Sequence, residues 1–568
     1  VTRVVIDPVT RIEGHLRVEA EVDDGRVREA WASGTMFRGI EQILQGRDPR
    51  DAWVFTQRIC NVCTAAHGIA SVRAVEDALG ITPPPLAVIV RNLIAAFQYM
   101  HDHVVTFFHL RAIADWMDVT RIPEADPMEA VRIAQRISDW PGNSAAAFRT
   151  AQERISAFIR SGLLGPLANG YWGHPGYTLS PEMDLMLAAH YLEALDWQRE
   201  VAKAHAVLGG KSPVLQTFLV GGTATPVDVD SSAALNVDRL TLLRELAGTA
   251  KSFIDAVYLA DHLAITTGYA ELHRMGERTG NVLVYGDFPL DPSGDPGSFA
   301  LPAGVIVDRD LEHVLPVDQE RITEEVTRSW YQDDPAGPLH PWEGTTEPAY
   351  TGPTPPYDRL DTQGAYSWVK APRYDGRPME VGPLARVLVA YAAGVPRVRR
   401  LTDEVLDRMG LRVDALWSSL GRRVARLVET TYLAELTFTW LDQLEEAMRS
   451  GDQRIHAGRW DPSTWPAEAR GVGFHEAPRG ALGHWVRIRD GRIERYQCVV
   501  PTTWNVSPRD ASGTPGPLEA ALVGTPVADP TRPLEIMRLV HTFDPCMACA
   551  VHVYDGRGDP LGNLVEPV

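Results

Sequence analysis

The sequence predicts a mainly helical chain carrying small peripheral β-sheets, an α+β arrangement in which helices make the body. Three observations lead there. Several long stretches repeat apolar residues at helical spacing, one of them from Leu86 to Val119 without a Pro or Gly. Two stretches alternate apolar and polar residues around an Asp-Gly dipeptide, the signature of a hairpin. Residues 285–365 are dense in Pro, Gly and Asp and fit irregular surface structure with short strands.

From the N-terminus, Asp7 to His15 reads as a loop leading into a hairpin over residues 15–31, turned at Asp24-Gly25. A helical pattern (Ile69, Val72, Val75, Ala78, Leu79) follows Cys60 and Cys63 and stops at Gly80. Pro83-Pro84-Pro85 then interrupts the chain before the long helix from Leu86. Further helix is expected over Pro127–Arg160, Pro181–Leu208, Asp238–Ile265, Gly382–Ala393 and Val413–Arg449. A second hairpin faces Trp485–Arg489 with Arg492–Tyr496 across Asp490-Gly491. No internal repeat or low-complexity tract interrupts this order.

Composition narrows function. A chain of 568 residues can bury a large core. Its net charge of −19, from 74 acidic against 55 basic residues, argues against nucleic acid as a partner. Five cysteines are too few for a disulfide-built scaffold. The first residues lack the basic and apolar regions of a signal peptide, and no apolar run approaches the roughly 20 residues of a membrane-spanning helix. The expectation is a chain soluble by itself, with any export or membrane association supplied by a partner.

Four of the cysteines form two C-x-x-C pairs near opposite ends of the chain, Cys60/Cys63 and Cys546/Cys549. Each pair has metal-ligand spacing, and four thiolates suit nickel, zinc or an iron–sulfur cluster. A zinc ribbon would place its pairs about 15–20 residues apart, and a thioredoxin-like motif would need a βαβ setting that is missing here. One buried site shared by all four is therefore preferred. Cys60 and Cys63 both stand near a helix N-terminus, where the dipole favours thiolate over thiol. The fifth, Cys498, reads as a buried structural thiol. His101, His103 and His109 do not make a zinc triad, since positions 101 and 103 do not share a helix face. His67 reads as a neighbour of the site rather than a ligand.

Seven blocks in order resemble the large subunit of nickel–iron hydrogenases, especially the uptake type. They are Asp7–Glu19 (DPVTRIEGHLRVE), Arg58–His67, Gln98–His109 (QYMHDHVVTFFH), Ser367–Arg386 (SWVKAPRYDGRPMEVGPLAR), Glu476–Trp485 (EAPRGALGHW), Tyr496–Asp510 (YQCVVPTTWNVSPRD) and His541–His552. The resemblance spans the chain and implies a fold around a central helical bundle. It implies nickel held by Cys60, Cys63, Cys546 and Cys549, with Cys63 and Cys549 bridging to an iron that carries two cyanides and one carbon monoxide. The implied activity is heterolytic cleavage of dihydrogen to protons and electrons.

The same motifs imply roles for other residues. Glu13 matches the proton-relay carboxylate, although alone it would read as a loop carboxylate beside Arg11. Arg479 matches the arginine over the open metal position, held by Asp102 and Asp544. Pro501 and Thr502 match the pocket for a cyanide, with the threonine hydroxyl as donor. Glu41, His552 and the backbone oxygen of Cys498 match a magnesium (or iron) site.

Five cysteines leave too few for an iron–sulfur relay in this chain, so the resemblance implies an iron–sulfur small subunit as partner and allows a cytochrome b anchor. Because that small subunit usually carries a twin-arginine export signal, the expected location is the outer face of the cell membrane, with the cytoplasm as alternative. A maturation endopeptidase is expected to cut after His552, so that 1–552 is the mature chain and 553–568 a propeptide. Two departures stand out: Asn61, where the family usually has Gly, and Gly210–Gln216, which lacks the histidines of many relatives. A hydrogen-sensing or structural metal–thiolate relative is the alternative, which the intact ligands, Glu13 and the tail disfavour. A zinc-stabilised protein without redox chemistry stands third.

Overall fold

Alternation and turn chemistry place the two main sheets. Strands Thr2–Ile6, Leu16–Asp23 and Arg26–Gly34 pair antiparallel in chain order, with Asp24 and Gly25 both at positive φ in the turn, as a two-residue hairpin requires. The second sheet comprises Glu468–Ala477, Gly480–Arg489 and Arg492–Val499, its second turn again an Asp-Gly pair at positive φ. A computed structural model describes residues 1–550, apart from 163–169, 270–271, 273, 279, 334–336 and 353–358.

The helix Thr64–Leu79 lies directly on the second sheet and ends at Gly80 in the left-handed conformation. A β-carbon on Gly473 would sit 2.0 Å from the carbonyl oxygen of Ala70, so glycine there permits the close approach of helix to strand. The helical body is built from Pro85–Val105, Pro181–Gly209, Val237–Phe253 and Ser419–Ser450, packed on one another through a continuous apolar core.

Five expectations need correction. The helix from Leu86 is regular only to Val105; over Thr106–Trp116 it widens to a π-helix. Such widening moves side chains to a new face, and here Thr106 and Arg111 reach Asp544. The 127–160 stretch is two helices, Pro127–Ile137 and Ala145–Ser161, because Pro141-Gly142 cannot continue a helix. The 238–265 stretch contains a π segment, Ile254–Tyr258, and 413–449 begins as a 3₁₀ turn before Ser418 caps the long helix. Residues 285–365 do carry short strands, yet the region is not all surface: Trp330, Tyr331 and Trp342 are buried.

Candidate metal centre

The two cysteine pairs are brought together by an N-terminal loop and a C-terminal turn that grip each other. Glu13 pairs its backbone with Cys546, and the Glu13 carbonyl accepts the Met547 amide at 2.7 Å. Gly14, at φ 81°, allows this contact: a β-carbon there would lie 2.5 Å from the Ala548 nitrogen. On the other side, the Cys546 amide donates to Thr502 Oγ1 at 2.9 Å, from the short helix Pro501–Asn505. Cys63 stands at the N-cap of Thr64–Leu79.

The four sulfur atoms lie within 4.8 Å of one another, and all four cysteines are buried and free of disulfides. Cys60 and Cys546 approach to 3.2 Å, Cys63 and Cys549 to 3.2 Å, and Cys546 and Cys549 to 3.1 Å. These separations exceed the roughly 2.05 Å of a disulfide bond. Burial opposes ionisation of Cys60, but hydrogen bonds from the other three thiols and the charge of Arg479 hold it well below the usual thiol range. Burial pushes Cys546 and Cys549 up, and Cys63 is raised first by its bond to Cys546. Four thiolates this close repel unless a cation sits among them, so the donor set fits a soft or borderline metal.

Arg479 is delivered by the tip of the hairpin between Glu468–Ala477 and Gly480–Arg489. It donates to Asp102 Oδ2 at 2.8 Å and to Asp544 Oδ1 at 3.3 Å. Burial alone would lower its pKa; Asp102, Asp544 and the thiol groups reverse this, raising it well above its ordinary value. Asp544 also receives Arg111 at 2.6 Å and Arg426 at 3.2 Å. Burial would raise the Asp544 pKa, and these three arginines instead hold it below the usual carboxylate range. Asp102, with Arg479 as counter-charge but Asp544 close by, is pushed up by burial to about 6.

Glu13 is half-buried, and burial and the charge of Cys60 raise its pKa against Arg479 and Arg38. His67 sets Nε2 3.4 Å from Cys549 Sγ and Nδ1 3.2 Å from His484, which continues to Tyr496 and Ser71. Glu41 Oε1 accepts the Cys498 amide at 2.8 Å, and Glu324, Lys370 and Gln497 stand near. That unit has oxygen donors for a hard cation, with Lys370 beside them. His552 and the tail 553–568 lie outside the described residues. Asn61 is exposed beside Cys60, and the Gly210–Gln216 segment touches the site through the Pro213 carbonyl, which accepts the Thr64 hydroxyl.

Sequence reasoning missed the frame behind Arg479. Arg386 donates to the carbonyls of Ala477 at 2.8 Å and Pro478 at 2.9 Å, fixing the hairpin tip from which Arg479 projects. It also pairs with Glu429 and Glu476, and His103 links Glu429 at 2.9 Å to Arg426 at 2.9 Å. The signal available was a buried-looking charge in an apolar helix, as in Arg386 within Pro383–Ala392.

Residues 38–552 match a family model described as nickel-dependent hydrogenase, and residues 3–32 a second, described as HoxL-like. The chain is 48% identical to the uptake hydrogenase large subunit of Rhizobium leguminosarum bv. viciae, over 99% of this chain and 97% of that one. It is 45% identical to the hydrogenase-1 large chain of Escherichia coli K12, over 98% and 96%. The Ni-Fe-Se hydrogenase from Desulfovibrio vulgaris Hildenborough in the reduced state shares the fold with TM-score 0.76 and 33% identity, covering 97% of this chain and 100% of that one.

Proposed function

This chain belongs to the nickel-dependent hydrogenase family, and from that premise we propose how its residues serve dihydrogen cleavage. It is the catalytic large subunit of an uptake hydrogenase, an oxidoreductase with dihydrogen as electron donor. The observation that carries this reading is the convergence of four buried thiols beneath a charged arginine.

Cys60, Cys63, Cys546 and Cys549 would hold the nickel–iron centre, with Cys63 and Cys549 shared between the metals. Bound there, such a centre, its iron carrying two cyanides and one carbon monoxide as the family implies, would supply Lewis acidity toward dihydrogen and reversible redox capacity. Arg479, held in place by Asp102 and Asp544, presents fixed positive charge where dihydrogen is polarised. Glu13 takes the proton at its carboxylate: its raised pKa matches a base that must accept a proton and release it again. Thr502 uses its oxygen lone pair on the Cys546 amide, which leaves its hydroxyl proton for a cyanide nitrogen beside Pro501. The His67–His484 pair orients Cys549.

Large subunits of this family pair with a small subunit, and the exposed Asn61 and Val62 beside Cys60 offer a face for it. That partner would carry the iron–sulfur clusters and take the electrons. No helix among the described residues is long and apolar enough to cross a membrane, so attachment at the outer face would come through the partner, with a cytochrome b as anchor. Glu41 and the Cys498 backbone oxygen would complete a magnesium site with His552, after an endopeptidase removes 553–568.

The test is an infrared spectrum of the purified complex. Two cyanide bands and one carbonyl band that shift under dihydrogen are expected. Their absence from a nickel-loaded sample ending at His552 would overturn the assignment, and an active enzyme whose intact mass includes the tail would overturn the processing.

A further inference from the structure

Inside the helical body lies a cavity of about 30 Å³ whose wall contains Arg111, Arg422, Arg423, Arg426 and Arg538, with His262 and Asp115. All seven residues are buried. Their charges do not balance. Arg111 and Arg426 both lean on Asp544, which Arg479 also uses. Arg422 is paired with Glu380. Arg538 donates to the carbonyls of Asp115 and Gly176 and lies over Trp116 and Tyr269. Asp115, the only carboxylate in the wall among the described residues, is bonded to His541 at 2.9 Å.

Arg423 is left over. Its guanidinium stacks on Trp116 at 3.9 Å, and Nε and one terminal nitrogen are buried with no hydrogen-bond partner among the described residues. Burial draws its pKa down to about 9, with Asp115 only partly opposing. In the same wall, both ring nitrogens of His262 are buried without a partner among the described residues; burial, Arg423 and Arg426 keep this ring neutral, so it still offers one N–H. An interior cation with no ion-pair partner of its own, and a carboxylate it shares only at a distance, is among the costlier features a fold can hold. Water in the cavity could satisfy hydrogen bonds but not charge.

We infer that this cavity binds a small inorganic anion of halide size, as the counter-charge to Arg423 and an acceptor for the His262 N–H. The volume suits it: space for about two waters holds one such ion. Through Arg111 and Arg426, which share Asp544 with Arg479, the anion bears on the charge held over the metal centre.

The test uses the purified hydrogenase complex, prepared and crystallised in parallel in chloride and in bromide. Long-wavelength anomalous maps distinguish chlorine from oxygen, and bromine is read at its own edge. A peak inside the cavity beside Arg423 is expected in wild type and in Arg423→Lys, and none in Arg423→Gln. Replacing chloride by gluconate at equal ionic strength should lower the wild-type thermal midpoint by about 2 °C and leave Arg423→Gln unmoved. Wild-type density without an anomalous peak in either halide overturns the inference, as does a peak of undiminished height in Arg423→Gln. Should Arg423→Gln fail to assemble, the wild-type map alone decides.

Discussion

Gly14 and Ala548 stand so close that a β-carbon on the first would lie 2.5 Å from the amide nitrogen of the second. Gly14→Ala therefore meets both a left-handed φ and an overlap with backbone. Each costs about 1–3 kcal/mol, and the displaced segment carries Cys546 and Cys549. Nickel per chain, measured by elemental analysis of the purified complex, should fall by more than half. Full nickel occupancy with unchanged thermal midpoint would refute the importance of this contact.

Glu13→Gln keeps the size of the side chain and removes its capacity to accept a proton. Dihydrogen-dependent dye reduction should drop by about 10²-fold or more while nickel content and infrared bands persist. In the wild type, the acid limb of the rate should lie above the ordinary glutamate range, because burial raises the pKa of this group.

Arg386→Met leaves Glu429 and Glu476 buried without their shared cation and frees the hairpin tip at Ala477 and Pro478. A loss of about 3–5 kcal/mol in stability is expected from breaking buried pairs. The activity of whatever folds should fall further than its nickel content, since Arg479 loses its mount. Parallel loss of both would mean Arg386 acts on folding alone.

Glu519 gives a pH signature. Its carboxyl accepts from Ala32 and Tyr366, yet burial outweighs these bonds and pushes its pKa to about 7. At this site the folded protein therefore binds more proton than the unfolded chain from about pH 4.5 to 7, and the stability that Glu519 contributes should be lost as pH rises through that window. The contribution is on the order of 3 kcal/mol. The stability difference between wild type and Glu519→Gln, read from denaturant midpoints across the window, should shift against the wild type as pH rises. Identical slopes would sink the assignment.

The ligand set was legible because C-x-x-C spacing is local, and the hairpins because Asp-Gly turns announce themselves over a few residues. The widening after Val105 was not: the apolar period runs on unbroken, and only the packing of Thr106 and Arg111 against Asp544 reveals the new face. The same holds for Arg386, His103 and Glu429, which lie on separate helices and meet through tertiary packing. The buried aromatics between Trp330 and Trp342 look like loop residues in sequence because Pro and Gly surround them.

The grip of the Glu13 loop on the Cys546 turn has a consequence for biosynthesis. Cys60 and Cys63 leave the ribosome long before Cys546 and Cys549 are made. Half the ligands must wait, exposed, for the other half, which is translated several hundred residues later. A growing or truncated chain is thus unable to enclose its metals, whatever the supply. Metals can therefore be enclosed by the full set only after Cys549 has been made.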